Sequence, residues 1–200
     1  GTQLHNYGAV IVAEDVEAYQ LIAGGAVGRH TGTADIAFSI LSHCSNNAPV
    51  SILGRMKQDK TTAEAGFFHV GGAIAWSQNN DHDIVNNAEG VVTVKSTLIN
   101  AEGNAYNLSI GGGIGYQTQN GSIDITNHAP INIECTVNTL DTYTDYESVR
   151  LYIGGAVGYT NSNGDLMSGL SNTGDLTVFA NTVGNLRVGG AYGQNAGGTV

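Results

Sequence analysis

The sequence has few charged residues and very little proline. Charged residues make up 12% of the 200 positions, about half the usual share. The surface of the folded chain therefore has to be formed mostly by Asn, Thr, Ser, Gln and Gly. Only 2 prolines occur and 41% of the residues are apolar, so the composition favours an ordered core over disorder.

Positively charged residues are scarce. Lysine and arginine total 7 against 17 acidic residues, the net charge is −10, and the cations are scattered from Arg29 to Arg187. A nucleic-acid-binding protein needs a concentrated cationic face that displaces counterions. The sequence therefore predicts neither nucleic acid nor an anionic membrane as a partner. No apolar run approaches the roughly 18–20 residues of a spanning helix, so no membrane span is expected.

What the chain has in abundance is glycine, 29 residues in 200, arranged in a repeated phrase. The double glycines begin at residues 24, 71, 111, 154 and 189, in steps of 47, 40, 43 and 35 residues. Such a period is typical of stacked repeats, in which one unit cannot bury its own apolar face. We therefore treat 1–200 as a single solenoid domain, with repeats beginning near residues 21, 68, 108, 151 and 186 and a partial coil over 1–20.

Each repeat divides into three extended segments joined by polar turns. The first is the glycine phrase, such as 151–157, and the second is a short apolar run, such as 123–125. The third has the period-2 pattern and β-branched residues of a strand. The expected fold class is all-β: a β-solenoid of about four to five coils, with three short strands per coil, wound as a right-handed parallel β-helix. The third segments are Val10–Val12, Val50–Ile52, Val92–Val94, Ile131–Ile133 and Leu176–Val178.

An asparagine precedes each third segment by four residues. Where corners stack, such side chains form a ladder in which each amide donates a hydrogen bond to the next. In the second repeat this spacing selects Asn87, four residues before Val91, with one extra residue near the corner. A structural role is favoured over a ligand site. The predicted ladder is Asn6, Asn46, Asn87, Asn127 and Asn172.

The glycine phrase also predicts a flat face. If it is one straight strand, alternate residues such as Gly154, Ala156 and Gly158 share a side, and no copy carries more than a methyl group there. We expect variable loops or another subunit to pack closely on this face. The variable segments are 54–66, 95–107 and 137–149, and a short helix is expected over 55–65.

The two cysteines, Cys44 and Cys135, lie two repeats apart and at different places within their repeats. Because stacked strands are about 4.8 Å apart, their Cα atoms are expected to be about 10 Å or more apart, too far for a disulfide. Both are predicted to be small core residues, with a disulfide or metal role as the alternative.

The phrases IGGGIGYQTQNGSIDITN (110–127) and IGGAVGYTNSNGDL (153–166) resemble GLUG-type repeats of large secreted or surface-anchored bacterial proteins, many of them adhesin-like. The resemblance covers nearly the whole chain from Leu21 onward. The chain departs from it in its long insertions and in Ala75-Trp76, where Gly-Tyr is usual. The resemblance implies an extracellular structural or binding module and supplies no catalytic residues.

Aspartates at the turns form a second candidate column, with Asp35, Asp83 and Asp165 aligned and Ser122 in the third repeat. The favoured role is hydrogen bonding to the local turn backbone. One alternative is a Ca²⁺ site formed by Asp35 and Asp83 with Asn79 and Asp81, of which Asp81 and Asp83 are the candidate ligands. The other is a catalytic pair, Asp35 and Asp83, about 5 Å apart as in a retaining glycosidase. No catalytic residue, resident metal or cofactor is predicted.

A third column, Trp76, Tyr116 and Tyr159, with Arg29 and Gln194 at its ends, is the candidate glycan-binding strip. Its alternative role is to cap a corner of the core, which is favoured. The histidines share no column and are expected on turns and on the surface. The GGxxG phrases lie inside strands, so they are not a dinucleotide fingerprint.

Together these patterns predict a structural or adhesive protein of the cell surface or extracellular space. The absence of a signal peptide before Gly1 is not evidence of a cytoplasmic location. Its expected partners are a second copy, stacked head to tail into a filament, or a cell-surface glycan or protein. The alternative is a protein that binds or degrades polysaccharide along its side, as a lyase or hydrolase.

Overall fold

The computed structural model describes residues 2–31, 40–57, 66–100, 106–119, 122–139, 149–162, 167–181 and 185–196. Within these ranges the regular elements are β-strands, and their pairing is parallel. No helix suited to crossing a membrane occurs in this part of the chain. The protein is therefore an all-β chain built from parallel sheets.

The strands form four parallel stacks, named here A to D, which the chain visits in that order in each coil. Stack A contains β1 (Thr2–Asn6), β6 (Leu41–Asn46), β11 (His82–Asn86), β15 (Ile123–Asn127) and β19 (Ser168–Asn172). Stack B contains β2 (Val10–Val12), β7 (Val50–Ile52), β12 (Val92–Asn100), β16 (Ile131–Thr139) and β20 (Leu176–Asn181). Stack C contains β4 (Gln20–Gly24), β9 (Gly66–Gly71), β13 (Tyr106–Gly111), β17 (Val149–Gly154) and β21 (Asn185–Gly189). Stack D contains β5 (Val27–His30), β10 (Ile74–Ser77), β14 (Ile114–Gln119), β18 (Val157–Ser162) and β22 (Tyr192–Asn195).

The predicted β-solenoid is the observed fold, with five strands in each of stacks A, C and D. A coil has four strands, however, and the predicted three is wrong. The glycine phrase is two strands, because the backbone bends at its second glycine and the following residue. At Gly154 a Cβ atom would overlap the carbonyl oxygen of Val157. Only glycine allows the chain to fold back this closely on itself.

Stack B is extended by two short strands, β3 (Glu17–Ala18) and β8 (Arg55–Lys57). Strand β8 pairs with β3 on one side and with the distal half of β12 on the other. Arg55–Lys57 is thus a strand, and the helix expected over 55–65 is wrong there, because the neighbouring strands offer its backbone partners on both sides. The rest of that segment, 58–65, lies outside the described residues.

Two apolar clusters fill the coils. One lies between stacks B and C and includes Val50, Phe68 and Ile110, and the other lies between stacks A and D and includes Ile84 and Ile114. Cys135 belongs to the first cluster and Cys44 to the second, and both are free and buried. The prediction of core cysteines is confirmed. Burial raises the pKa of each thiol to about 12.

An asparagine ladder runs along the solenoid where stack A turns into stack B. Each Nδ2 donates to the Oδ1 of the next asparagine, at 2.8, 2.9, 2.8 and 2.7 Å in chain order. Each Nδ2 also donates to a carbonyl of its own turn. These are the partners that a buried amide requires. The ladder residues are Asn6, Asn46, Asn86, Asn127 and Asn172.

The prediction of Asn87 as a ladder residue is wrong, because the corner after Asn86 contains two extra residues. Asn86 pairs in register with Asn46, and its Nδ2 donates to Gly90 O, four residues on, whereas Asn46 reaches the carbonyl two residues on. The additional residues bulge within the corner without moving the ladder. Asn87 instead donates to Asn47 Oδ1 at 2.8 Å, in a second, shorter pairing beside the ladder.

The double glycines make room for this ladder. A Cβ atom on Gly72 would overlap the side chain of Asn86, and the second glycines of the first, third and fourth phrases face the ladder in the same way. The last glycine of the phrase lies against backbone atoms: a Cβ atom on Gly158 would lie 2.6 Å from Ile110 N. Within the described residues this face therefore packs on the chain's own strands, a cover that the prediction of loops or another subunit did not include. The remaining glycine–asparagine contacts are Gly25–Asn46, Gly112–Asn127 and Gly155–Asn172.

Candidate functional site

The bend between stacks C and D places side chains of both stacks around a shared groove, named here the C–D groove. From stack D it receives the aromatic column, in which Trp76 pairs in register with Tyr116 and Tyr116 with Tyr159. Arg29 extends the column at one end and Gln194 at the other. The predicted strip is therefore a true column, with one side chain contributed by each of the five coils.

Stack C supplies the opposite wall. Phe67 and His69 alternate along β9 with the core residues Phe68 and Val70, so they project away from the core. The same positions in the next coils carry different side chains. The column through Phe67 reads Gln20, Phe67, Asn107, Arg150 and Asn185, and the column through His69 reads Ile22, His69, Ser109, Tyr152 and Arg187.

The aromatic rings of both walls contact one another. His69 stacks on Tyr116 with ring centroids 4.2 Å apart and on Phe67 at 4.6 Å. Tyr116 in turn stacks on Tyr159 at 5.2 Å, and Trp76 meets Tyr116 edge to face at 5.5 Å. These rings border a cavity of about 200 Å³ that is also lined by Asn107, Ser109, Arg150 and Tyr152.

Arginines are the charged residues of this groove. The guanidinium of Arg29 lies over the Trp76 ring, 4.0 Å from its centroid, and that of Arg187 lies 5.9 Å from the Tyr152 centroid. Burial raises the pKa of Tyr159, and so does Tyr152, while Arg150 and Arg187 act in the opposite direction. Burial and the neighbouring tyrosines raise the pKa of Tyr116 to about 12.

Comparison of the chain with protein-family models, with curated proteins and with solved structures finds no match. The resemblance to GLUG-type repeats therefore stays a prediction. Function has to be argued from the groove itself.

His69 is the groove residue that sequence reasoning missed, since all histidines were expected on turns and on the surface. It is 4% exposed, and burial lowers its pKa from 6.5 to about 3, so the ring is neutral at pH 7. Its Nδ1 and the Oγ of Ser109 are buried and have no hydrogen-bond partner among the described residues. The available signal was the alternation of Phe67 and His69 with core residues in FFHV.

The predicted alignment of Asp83 with Ser122 in an aspartate column is wrong. In the strand register Ser122 aligns with Asp81, and Asp83 aligns with Asp124, because the chain reaches stack A at Asp81 and His82. Asp83 and Asp124 share a left-handed backbone with φ of 56°, which marks the same irregularity in successive coils. Asp35 and Asp165, the other predicted members, lie outside the described residues.

The two carboxylates proposed for Ca²⁺ do not converge. Asp81 is fully buried and accepts hydrogen bonds from Ser77 Oγ at 2.6 Å and from Leu41 N at 3.0 Å. Asp83 is exposed and pairs with His43. Among the described residues no group of three or more His, Cys, Asp or Glu side chains is placed to hold a metal ion. Asp81 therefore has the role of a buried turn acceptor, next to His30 Nδ1 at 3.0 Å.

Proposed function

We propose that this protein is an adhesive β-solenoid of the cell surface or extracellular space that binds carbohydrate in the C–D groove. The observation that supports this proposal is the row of half-buried rings, Trp76, Tyr116 and Tyr159, beside a cavity of about 200 Å³. Aromatic side chains offer an apolar face to a partner together with a polar tip, which suits the mixed surface of a sugar ring. The resemblance to secreted adhesin-like repeats supports the location.

The groove has the properties of a rigid binding site. Its side chains project from strands held on both sides by parallel neighbours, so their spacing is set by the stacking of coils and not by loops. Rings and polar groups alternate along it, with Asn107 and Ser109 next to Tyr116. A ligand lying along the solenoid axis would meet one aromatic ring per coil over coils two to four.

Binding is favoured over cleavage by the composition of the lining. Glycoside hydrolysis by the common mechanisms requires two carboxyl groups on either side of the bond that is broken. The described residues around the cavity are aromatic, amide, hydroxyl and arginine side chains, without a carboxylate.

A glycan array followed by calorimetry with the best oligosaccharide tests this function. We expect Trp76→Ala and Tyr116→Ala to weaken binding by about tenfold or more, since each removes a stacking face. Phe179→Ala is the matched control, because Phe179 is 70% exposed on stack B and does not line the groove. Equal loss in the control, or no carbohydrate bound by the folded protein, contradicts the proposal. A reducing-sugar assay with the bound ligand reports cleavage, the alternative.

Self-stacking into a filament is a second candidate, favoured by the polarity of the asparagine ladder. Asn172 Nδ2 donates to Gly174 O, which leaves its second hydrogen directed toward a further coil. At the other end Asn6 Oδ1 accepts from Gly8 N and has a second lone pair. A donor at one end and an acceptor at the other suit head-to-tail addition of another coil.

A further inference from the structure

We infer that the ligand of the C–D groove is an acidic polysaccharide, bound along the solenoid axis with its carboxylates on the arginines at the two ends of the aromatic column. This inference rests on the proposed function and adds the class of carbohydrate. It follows from where the few cations of the chain are placed, from what lies between them, and from the absence of carboxylates in the described lining.

Three of the 7 lysines and arginines belong to the groove. Arg29 in the first coil lies over Trp76, Arg150 in the fourth coil lines the cavity, and Arg187 in the fifth lies beside Tyr152. The protein as a whole carries a net charge of −10. On stack B the cations Arg55 and Lys95 share a cavity with Glu14 and Glu134, whereas the described lining of the groove has no carboxylate beside its arginines. A negatively charged ligand would be attracted here and repelled elsewhere.

The spacing of the arginines selects an extended ligand. Coils are about 4.8 Å apart, so Arg29 lies about 14 Å along the axis from Arg150 and about 19 Å from Arg187. A small anion cannot reach both ends, whereas a chain of several sugars with repeated carboxylates can. Arginine is well suited to this partner because its planar guanidinium binds a carboxylate through two parallel hydrogen bonds.

The middle of the groove suits uncharged parts of such a chain. In coils two and three the walls carry Trp76, Tyr116, His69, Asn107 and Ser109. His69 is neutral at pH 7 because burial lowers its pKa to about 3. Ring faces and neutral polar groups match sugar rings and hydroxyls. The groove therefore has a neutral aromatic centre between two cationic ends.

Single-stranded nucleic acid also combines rings with negative charge, but it fits this arrangement less well. It carries a phosphate at each nucleotide, and its binding proteins follow the backbone with a continuous cationic groove. Between Arg29 and Arg150 the described lining has no cation for three coil steps. A protein of net charge −10 would also repel a polyanion of that charge density. A polysaccharide that carries a carboxylate on only every second sugar or fewer matches the observed spacing better.

The test compares an acidic oligosaccharide with its own uncharged form. Calorimetry would use hexasaccharides of hyaluronan and of unsulfated chondroitin, which carry a carboxylate on every second sugar, and the same samples after reduction of their carboxyl groups to alcohols. We expect at least one acidic hexasaccharide to bind about tenfold or more tightly than its reduced form. Arg150→Gln combined with Arg187→Gln is expected to reduce that preference for the acidic form to about threefold or less. Arg55→Gln is the matched control, since Arg55 is exposed on the side of stack B.

Each outcome separates this inference from the function on which it rests. Equal binding of acidic and reduced samples, or an unchanged preference in the double variant, overturns the inference and leaves carbohydrate binding intact. Binding of neither sample, with a glycan array that is also negative, overturns both. Tighter binding of a carboxyl-free sulfated hexasaccharide, or of a single-stranded oligonucleotide, overturns the choice of a carboxylated sugar.

Discussion

The environment of each side chain in this solenoid is set by its neighbours in the same column and in adjacent columns. His69 occupies a column position that holds Ile22 and Ser109 in the adjacent coils, and it lies between the rings of Phe67 and Tyr116. The alternation in FFHV places His69 on the same side of the strand as Phe67, but it does not show that the ring is buried. The neighbours that bury it come from another strand and another coil, which is why the sequence did not indicate it.

The buried His69 predicts a pH dependence of stability. Its pKa is about 3 in the folded protein, against the ordinary value of 6.5 for an exposed histidine. Between these values the unfolded chain binds a proton that the folded chain does not, so the free energy of unfolding falls as the pH is lowered from 6.5 toward 3. The contribution is up to about 1.4 kcal/mol per pH unit.

Urea unfolding of the wild type and of His69→Phe at several pH values measures this contribution. The phenyl ring keeps the stacking and cannot take up a proton. We expect the difference in stability between the two proteins to be constant above pH 7 and to shift in favour of the variant as the pH falls below 6.5. A difference independent of pH over this range would show that His69 is accessible to protons in the folded protein.

Glycine substitutions distinguish positions that touch the ladder from those that do not. In Gly72→Ala the new methyl group would overlap Gly112 O and the side chain of Asn86, both inside the coil, so we expect loss of the cooperative fold or a cost of more than about 4 kcal/mol. At Gly190, the matching position of the last coil, no heavy atom lies within 4 Å. Thermal unfolding of Gly190→Ala is expected to match the wild type within about 1 kcal/mol. Similar losses of stability in both variants would contradict the conclusion that the second glycines make room for the asparagine ladder.

At the scale of strands, local alternation predicted stack B correctly, because β2, β7, β12, β16 and β20 each carry the period-2 pattern. The bend in the glycine phrase could not be predicted in this way. Ile153 and Val157 are spaced like residues of one strand, yet they belong to different apolar clusters. The contact that explains the bend, Gly155 with Asn172, joins residues of successive coils. The prediction of Asn87 as the ladder residue was wrong for a related reason, since the adjacent Asn86 and Asn87 allowed two registers.

The ladder predicts unequal effects of two neighbouring asparagines. Asn86 is fully buried, accepts from Asn46 and donates to Asn127 and Gly90 O. Asn86→Ala leaves several buried groups without partners, and we expect a cost of about 2–4 kcal/mol. Asn87 is half-buried and its side chain makes one bond, to Asn47, so Asn87→Ala should cost less than about 1 kcal/mol. Chemical denaturation of both variants measures these losses of stability. A larger loss in Asn87→Ala than in Asn86→Ala would indicate that Asn87 is the ladder residue.

At the scale of the whole molecule, function depends on the stacking of coils. The C–D groove is assembled from side chains about 40 residues apart in sequence, one per coil. The strip of Trp76, Tyr116 and Tyr159 could be predicted because the glycine phrase gives its register directly. Arg150, Arg187 and His69 on the facing wall could not, since that wall exists only because the phrase bends. The same stacking exposes apolar columns where the coils end.

The uncovered columns predict self-association of this chain. Leu186 and Val188 stand in register with the core residues Leu151 and Ile153, yet they are 43% and 47% exposed. A further coil from a second copy would bury them and extend the asparagine ladder beyond Asn172. We expect sedimentation to show assembly that grows with protein concentration, and electron microscopy to show rods longer than five coils.

Charged substitutions at the end and on the side of the solenoid distinguish end-to-end stacking from nonspecific association. Val188→Lys places a cation on the uncovered core column, where a stacked coil would have to bury it, so assembly should decrease at least about tenfold in apparent affinity. Thr93→Lys, on the outer side of stack B in the third coil, should assemble as the wild type does. Because Val188 is already half-exposed, its variant should keep the wild-type fold by circular dichroism. Discrete monomers of the wild type at high concentration, or equal loss of assembly in both variants, would mean that the open coil is not a contact surface between copies.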